Sequence, residues 1–303
     1  GRASELSMPA VLPKLIDMEK MYGSISAGIV RRRWRGGEMP GSRLFSWREG
    51  IGTLPKALAR YLGPVVHTSV TVQSLKPLAG GYRINAGAAG AFSAPVVIIA
   101  TQPHVAAQLL DKTEAVAAEA AGGIDAPPLA VVFLGYRRNK VEHPLDGLGF
   151  LTPEGEDRGL TGAQFCSTMF PGRSPQGHVA VAAYIGGARA PQLAQLPAAD
   201  LIELAHSEFR DLLGTLSDPV VARVRHWPRG LPQYRLGHEA LRAKLESTQQ
   251  RQPGLFITGN YLSGPSVAVC LDQAVRTASK AGQFLAVSRG SARQSHDATA
   301  SNF

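Results

Sequence analysis

Runs of β-branched and apolar residues follow one another in this chain with no helical repeat between them, and that ordering constrains the fold more than any single motif. Residues 128–136 (PLAVVFLGY), 147–152 and 178–186 (HVAVAAYIG) form one series; 65–75, 82–85 and 92–99 form an earlier one, punctuated by glycine or proline. The earlier series reads as a strand-turn-strand meander leading into a buried strand, VVIIA (96–100). Strands met in series favour antiparallel pairing over an alternating parallel βαβ arrangement.

Helical periodicity occupies the remaining stretches. Val11, Leu15, Met18, Tyr22, Ile25 and Ile29 fall at three- and four-residue steps and predict one apolar helical stripe over 11–33. SWREGIGTLPKALARYL predicts a glycine turn and a helix around Leu54, Leu58 and Leu62. Helical patterns resume over 101–110 and over 199–214, the latter with Leu201, Leu204, Ala205, Phe209 and Leu212 facing inward. A strand, VARVRHW, ends at Pro228; another, LFITG (255–259), leads through NYLSGPS into a helix to about residue 287. The tail SRGSARQSHDATASNF is small and polar, and disorder is expected there. The fold class is mixed, α+β with some α/β character.

Composition narrows the function classes. With 303 residues, 44% hydrophobic and 18% charged, the chain has the make-up of a folded protein of one large domain or two. The net charge of +9 is spread thinly, and the densest cluster is Arg31, Arg32, Arg33 and Arg35 around Trp34. A nucleic-acid groove needs a longer basic and aromatic patch. No nucleic-acid partner is therefore expected; a solvated helix end, an anionic membrane surface or an anionic substrate suits the cluster. Two cysteines, Cys166 and Cys270, with no CxxC pair, argue against zinc and disulfide chemistry and fit a reducing compartment. No apolar run reaches the ~20 residues of a membrane span. The opening GRASELSMPAVLPKL is no signal peptide, and the chain does not begin with Met.

Several chemistries lack their motifs: there is no GxxxxGK[ST], HExxH, GxSxG or GxGxxG. The eight histidines have no metal-ligand spacing, and His238–Glu239 reads as a surface or capping pair.

Five strings, in order along 1–287, resemble the FAD-dependent porphyrinogen oxidases of the flavin amine-oxidase superfamily. They are ELSMPAVLPKLIDMEKMYGSI, SWREGIGTLPKAL, FPGRSP, WPRGLPQYRLGH and GNYLSGPSVAVCLDQA. The resemblance implies six-electron oxidation of a porphyrinogen to a porphyrin in haem biosynthesis, with FAD as cofactor and oxygen as acceptor. The substrate would be protoporphyrinogen IX or coproporphyrinogen III. It implies no acid-base dyad, because the protein mainly positions the macrocycle against the flavin. An amine or carotenoid-type oxidase and a flavin-free porphyrin-binding protein are the alternatives.

The resemblance also assigns residues. Val72 corresponds to a strand valine whose backbone meets the adenine of FAD, and Trp227 to an aromatic near the flavin. Gly259 and Asn260, with Pro265, Ser266 and Val267 opening the last helix, correspond to the flavin-binding turn, where helix amides suit negative charge. Leu148, Gly149 and Leu151 correspond to one wall of the substrate site, and Tyr184 to the other. Gly1 corresponds to a glycine near the substrate. Without the resemblance, Val72 and Trp227 would read as core residues of a strand.

The family's first βαβ unit, with its GxGxxG turn, has no counterpart in this sequence, so an N-terminally shortened FAD domain with poor flavin binding is expected. VVIIA and LFITG would then lack their sheet neighbours and favour aggregation. The implied organisation is a helical substrate-side or membrane-side part over 1–40, an FAD-domain remainder over 41–105 and a substrate domain over 106–227. A closing strand and helix over 228–287 and the tail 288–303 follow. An N-terminal partner segment or a homo-oligomer, and a cytoplasmic location with peripheral contact at the inner membrane face, complete the expectation.

Overall fold

A computed structural model describes residues 2–34 and 44–300, apart from the side chains of Lys14, Arg32 and 289–300. Gly1 and Arg35, both singled out in the sequence, lie outside the described residues. The ten strands among the described residues are β1 (Ser74–Leu78), β2 (Gly81–Asn85), β3 (Ala91–Ala94), β4 (Val97–Ile99), β5 (Leu129–Arg137), β6 (Gly149–Leu151), β7 (Gly162–Gln164), β8 (His178–Gly186), β9 (Val221–Trp227) and β10 (Leu255–Ile257).

The chain divides into two compact units. One combines residues 1–5, Lys14–Val66 and Ala126–Gln233. Its centre is a five-stranded antiparallel sheet in the order β6-β7-β8-β5-β9. The even-numbered residues of β5 (Ala130, Val132, Leu134, Tyr136) and the odd-numbered ones of β8 (Val179, Val181, Ala183, Ile185) are buried on one face. The helix Ala198–Leu213 covers that face with Leu201, Ala205, Phe209 and Leu213. Its apolar residues repeat at four-residue steps, which is why one side of it can fill the space over the sheet. It stops at Gly214, which adopts a left-handed φ of 61° and donates its amide to the Arg210 carbonyl.

The predicted helical stripe over 11–33 is two helices, Pro13–Tyr22 and Ile25–Trp34, interrupted where Gly23 takes a φ of 76°. Two of the strings that carried the family resemblance meet in this unit. Arg173 of FPGRSP donates to Ser46 Oγ (2.6 Å) and to the Trp47 carbonyl (2.9 Å), and its guanidinium lies 4.6 Å from the Phe170 ring centroid.

The second unit combines Leu6–Pro13, His67–Asp125 and the chain from Tyr234 onward. It holds the antiparallel meander β1-β2-β3 and a parallel pair, β4 with β10, in which Val97, Ile98 and Ile99 face Leu255, Phe256 and Ile257. VVIIA and LFITG, expected to lack neighbours, are thus neighbours of each other. Helices Pro103–Leu110, Ala115–Gly122 and His238–Glu246 pack around them, with Leu75, Tyr82, Leu110, Leu245, Leu255 and Tyr261 in the core. The long apolar run 92–99 is split by Pro95, which cannot donate to a ladder and separates β3 from β4.

Two boundaries differ from the sequence reading. Helices Pro103–Leu110 and Ala115–Gly122 belong to the same unit as β4, whereas the substrate domain was drawn from residue 106. The last helix runs Val267–Ala300, through most of a tail expected to be disordered. That tail holds no proline and a single glycine, Gly290, so no strong breaker stops the backbone from continuing.

Candidate functional site

Register places several of the expected residues together. Residues opposite one another in a ladder point to the same face of the sheet. Leu151 pairs with Gly162, Gly162 with Tyr184, Tyr184 with Val131, and Val131 with Arg225. The next row in phase runs Gly186–Leu129–Trp227, and the row on the other side runs Gly149–Gln164–Ala182–Phe133–Arg223. Leu151, Gly149, Tyr184 and Trp227 therefore share the face opposite the Ala198–Leu213 helix. This face is apolar and aromatic in the middle and carries two arginines on its edge strand.

A cavity of about 490 Å³ opens on that face, lined among others by Leu129, Leu151, Thr161, Tyr184, Arg189 and Leu231. Leu151 is 86% exposed, an unusual position for a leucine within a sheet. Tyr184 is half-buried and donates its hydroxyl to Gln164 Oε1 at 2.6 Å. Burial, and then the nearby Cys166 thiol, raises the Tyr184 pKa above the ordinary phenol value, so the ring stays neutral. Burial also raises the Cys166 thiol, with Arg173 opposing it. Arg189 donates to the carbonyls of Thr152 (2.8 Å) and Thr161 (3.3 Å), tying the end of β6 to the start of β7.

Gly149 has a φ of 143°, and a Cβ there would lie 2.0 Å from the Ala163 carbonyl oxygen. Glycine at 149 is thus demanded by the close pairing of β6 with β7. Leu148 precedes β6, is exposed, and offers its carbonyl to the Phe165 amide at 3.0 Å; it is not part of the cavity lining. Trp227 is 42% exposed, not a core tryptophan, and the Arg225 guanidinium lies 5.1 Å from its ring centroid.

The second unit presents the strand-turn-helix expected to meet a flavin. After β10 the backbone enters a short helix, Asn260–Ser263, bounded by Gly259 and Gly264. Gly264 has a φ of 130°, a conformation that side chains rarely adopt. At Gly259 the constraint is space: a Cβ would lie 2.5 Å from Cε1 of the Tyr261 ring. Ser266 caps the last helix by accepting the Val269 amide at 3.2 Å and the Cys270 amide on its carbonyl at 3.0 Å. Pro265, Ser266 and Val267 are exposed, and the first amides of that helix have no intrahelical acceptor. The donor set suits an anionic or electron-rich ring edge.

Two side chains pin this turn. Tyr234 donates to the Asn260 carbonyl at 2.5 Å, and His238 Nε2 lies 2.8 Å from the Tyr261 carbonyl. His238, read from sequence as a surface or capping residue, is 3% exposed. Burial lowers its pKa, against the pull of the Tyr261 carbonyl and of Glu239. Glu239 accepts the hydroxyl of Ser7, which lowers its own pKa despite partial burial. Val72 lies in the segment before β1, outside any strand and 39% exposed, and not in a buried strand as its sequence suggested.

Sequence reading passed over Gln164, Arg189, Arg223, Arg225, Tyr234 and Gly264. The strings VARVRHW and QYRLGH contain three of them, but no local spacing says which face of a sheet or which turn they serve. Among the described residues no group of three His, Cys, Asp or Glu could hold a metal ion, and no helix is long and apolar enough to cross a membrane.

Comparison with known proteins agrees with the architecture. Residues 1–282 match the family model for flavin containing amine oxidoreductases. The chain is 29% identical over 311 residues to the chloroplastic protoporphyrinogen oxidase of Nicotiana tabacum, an alignment covering 94% of this chain and 57% of that protein. It is 23% identical over 296 residues to the coproporphyrinogen III oxidase of Bacillus subtilis (strain 168), covering 94% of this chain and 62% of that one. Among solved structures, a protein assigned as a protoporphyrinogen oxidase from Exiguobacterium sp. 255-15 superposes with a TM-score of 0.76 at 17% identity, covering 96% of this chain and 61% of that one. At that identity the likeness establishes the fold. This chain spans a little under three-fifths of the length of the plant relatives, 57% for the tobacco protein. With its family model matched over 282 of 303 residues, the chain belongs to the flavin containing amine oxidoreductases.

Proposed function

We propose that this chain takes part in oxidising a porphyrinogen to a porphyrin in haem biosynthesis, with FAD as its flavin. The observation that carries the reading is the sheet face on which Leu151, Tyr184, Leu129 and Trp227 fall in adjoining rows around a cavity of about 490 Å³. From β6 to β9 the face spans four interstrand gaps, about 19 Å. That is wide enough for a tetrapyrrole with its side chains, and too wide and flat for a small amine.

The division of labour follows from the side chains. Leu151, Leu129 and Val131 bury an apolar ring system. Tyr184, held by Gln164, gives a flat neutral surface whose ring orientation is fixed before any ligand arrives. The Gly259–Gly264 turn and the Pro265–Val267 helix start would hold the flavin ring edge, with Val72 offering backbone to the adenine. A bound FAD supplies the two-electron acceptor, with three two-electron steps and three O2 reduced to H2O2 for each porphyrinogen converted. The chain's own residues supply binding, orientation and the exclusion of water. No acid-base dyad is required, because aromatisation of the macrocycle drives the loss of hydrogen. The names of the relatives support protoporphyrinogen and coproporphyrinogen III alike as substrates.

The test is titration of the purified chain with FAD, followed by absorbance, then fluorescence detection of porphyrin formed from each porphyrinogen. Weak flavin binding, with porphyrin formed only when FAD is supplied in excess, is the expected result. A chain that binds neither flavin nor any porphyrin overturns the proposal, and porphyrin binding without flavin points instead to a flavin-free carrier.

A further inference from the structure

The open sheet face carries two arginines for which the described residues supply no carboxylate partner. Arg223 and Arg225 sit two residues apart on edge strand β9, in the same rows as Phe133 and Val131. Both are exposed, and neither has a carboxylate partner among the described residues. Arg223 donates to the Ala222 carbonyl at 2.8 Å, and Arg225 lies 5.1 Å from the centroid of the Trp227 ring. Between Arg225 and Trp227, His226 belongs to the opposite face, where its Nε2 lies 3.0 Å from the Leu196 carbonyl. Arg189, the arginine that lines the cavity, already donates to the Thr152 and Thr161 carbonyls.

An arginine resting on an aromatic face keeps its forked donors free and oriented, the geometry suited to binding a carboxylate in bidentate fashion. Arg225 has that geometry over Trp227; Arg223, two residues away, stands about 7 Å from it along the strand and points the same way. That matches two carboxylates carried on neighbouring rings along one edge of a flat ligand, with the ring system over Leu129, Val131 and Tyr184.

We propose that Arg225, with Arg223 beside it, is the anion anchor of this face and selects ligands bearing two adjacent carboxylates at one edge. The inference rests on the porphyrinogen reading and deepens it: the apolar rows bind the ring system, and the β9 arginines set which way round it lies. The anchor requires the free acids, and esterification of the carboxylates removes what it reads.

The test compares binding of protoporphyrin IX, a stable diacid with adjacent carboxylates, and its dimethyl ester to the full chain, followed by the Soret shift. The wild-type chain is expected to bind the diacid at least tenfold more tightly than the ester, and rising salt should narrow the gap. Arg225→Ala and Arg223→Ala are expected to abolish that preference while leaving ester affinity within about twofold. Arg225→Lys should restore it in part. Equal affinity of the wild-type chain for acid and ester overturns the anchor and leaves the porphyrin reading standing. Equal loss of both ligands in Arg225→Ala, with a native circular dichroism spectrum, also overturns it, because the arginine would then serve only the packing of Trp227. A wild-type chain that binds neither ligand overturns the porphyrin reading and the anchor with it.

Discussion

Tyr234 donates its hydroxyl to the carbonyl of Asn260 at 2.5 Å, across 26 residues of chain, and so fixes the turn that precedes the last helix. The Tyr234 ring also meets the His238 ring edge to face, with centroids 4.9 Å apart. His238 in turn holds the next carbonyl, that of Tyr261. Tyr234→Phe preserves the ring contact and leaves the Asn260 carbonyl with only the Gly264 amide, at 3.3 Å. It should cost about 0.5–1.5 kcal/mol of stability, measured by urea denaturation. It should also weaken FAD binding without altering porphyrin binding, since Tyr184 and Leu151 are untouched. Equal weakening of both ligands would show that the turn has no separate role.

Acid sensitivity should follow from the histidines. Burial lowers the pKa of both His206 and His238 below the ordinary 6.5, so the unfolded chain binds more protons than the folded one in mildly acidic solution. Stability should therefore fall as pH drops below about 6.5, by up to about 1.4 kcal/mol per pH unit for each histidine. His238→Gln retains a donor for the Tyr261 carbonyl and removes one titrating group. Thermal denaturation between pH 5 and 7.5 should show a shallower slope in that variant.

Glu114 joins two jobs in one carboxylate. It caps the Ala115–Gly122 helix by accepting the Ala117 amide at 2.6 Å, and it pairs with Arg251 Nε at 2.8 Å, with its side chain only 5% exposed. Burial alone would raise its pKa; Arg251 and the amides of Ala117 and Val116 outweigh that and lower it. Arg251→Met would leave the carboxylate buried without its cation. A loss of about 3 kcal/mol is expected by chemical denaturation, and Glu114→Gln in the same background should recover part of it.

At Tyr184 the ring and the hydroxyl are separable. Tyr184→Phe loses the bond to Gln164 and should cost about 0.5–1.5 kcal/mol while keeping porphyrin affinity within a few-fold. Tyr184→Ala removes the flat surface, and porphyrin fluorescence titration should show a loss of tenfold or more.

β5 and β8 were legible as unbroken apolar runs, β9 by its alternation of apolar and polar residues, and the Ala198–Leu213 helix by apolar residues at nearly four-residue steps. It did not reveal β7, whose three residues, Gly162–Gln164, include nothing β-branched, or the Ala115–Gly122 helix, where alanine and glycine leave little contrast between faces. Leu151, Tyr184 and Trp227 were nameable through family strings. Their meeting on one face was not, since it depends on register between strands up to 76 residues apart, Leu151 to Trp227. Arg225 and Gln164 were invisible for the same reason: alone, each is an ordinary polar residue of a strand. His238 misled because a polar residue beside glutamate looks solvated, and only the fold supplies the carbonyl that lets it be buried.

The parallel pairing of β4 with β10 joins residues 97–99 to 255–257 and encloses the whole of β5 to β9. During synthesis the ribosome releases that five-stranded sheet before it releases the partner of β4. The sheet is thus free to collapse first, while β4 waits with one edge unsatisfied for more than 150 residues of growth. The order of completion is set by topology: the face that carries Tyr184 and Trp227 can mature early, and the turn pinned by Tyr234 closes last.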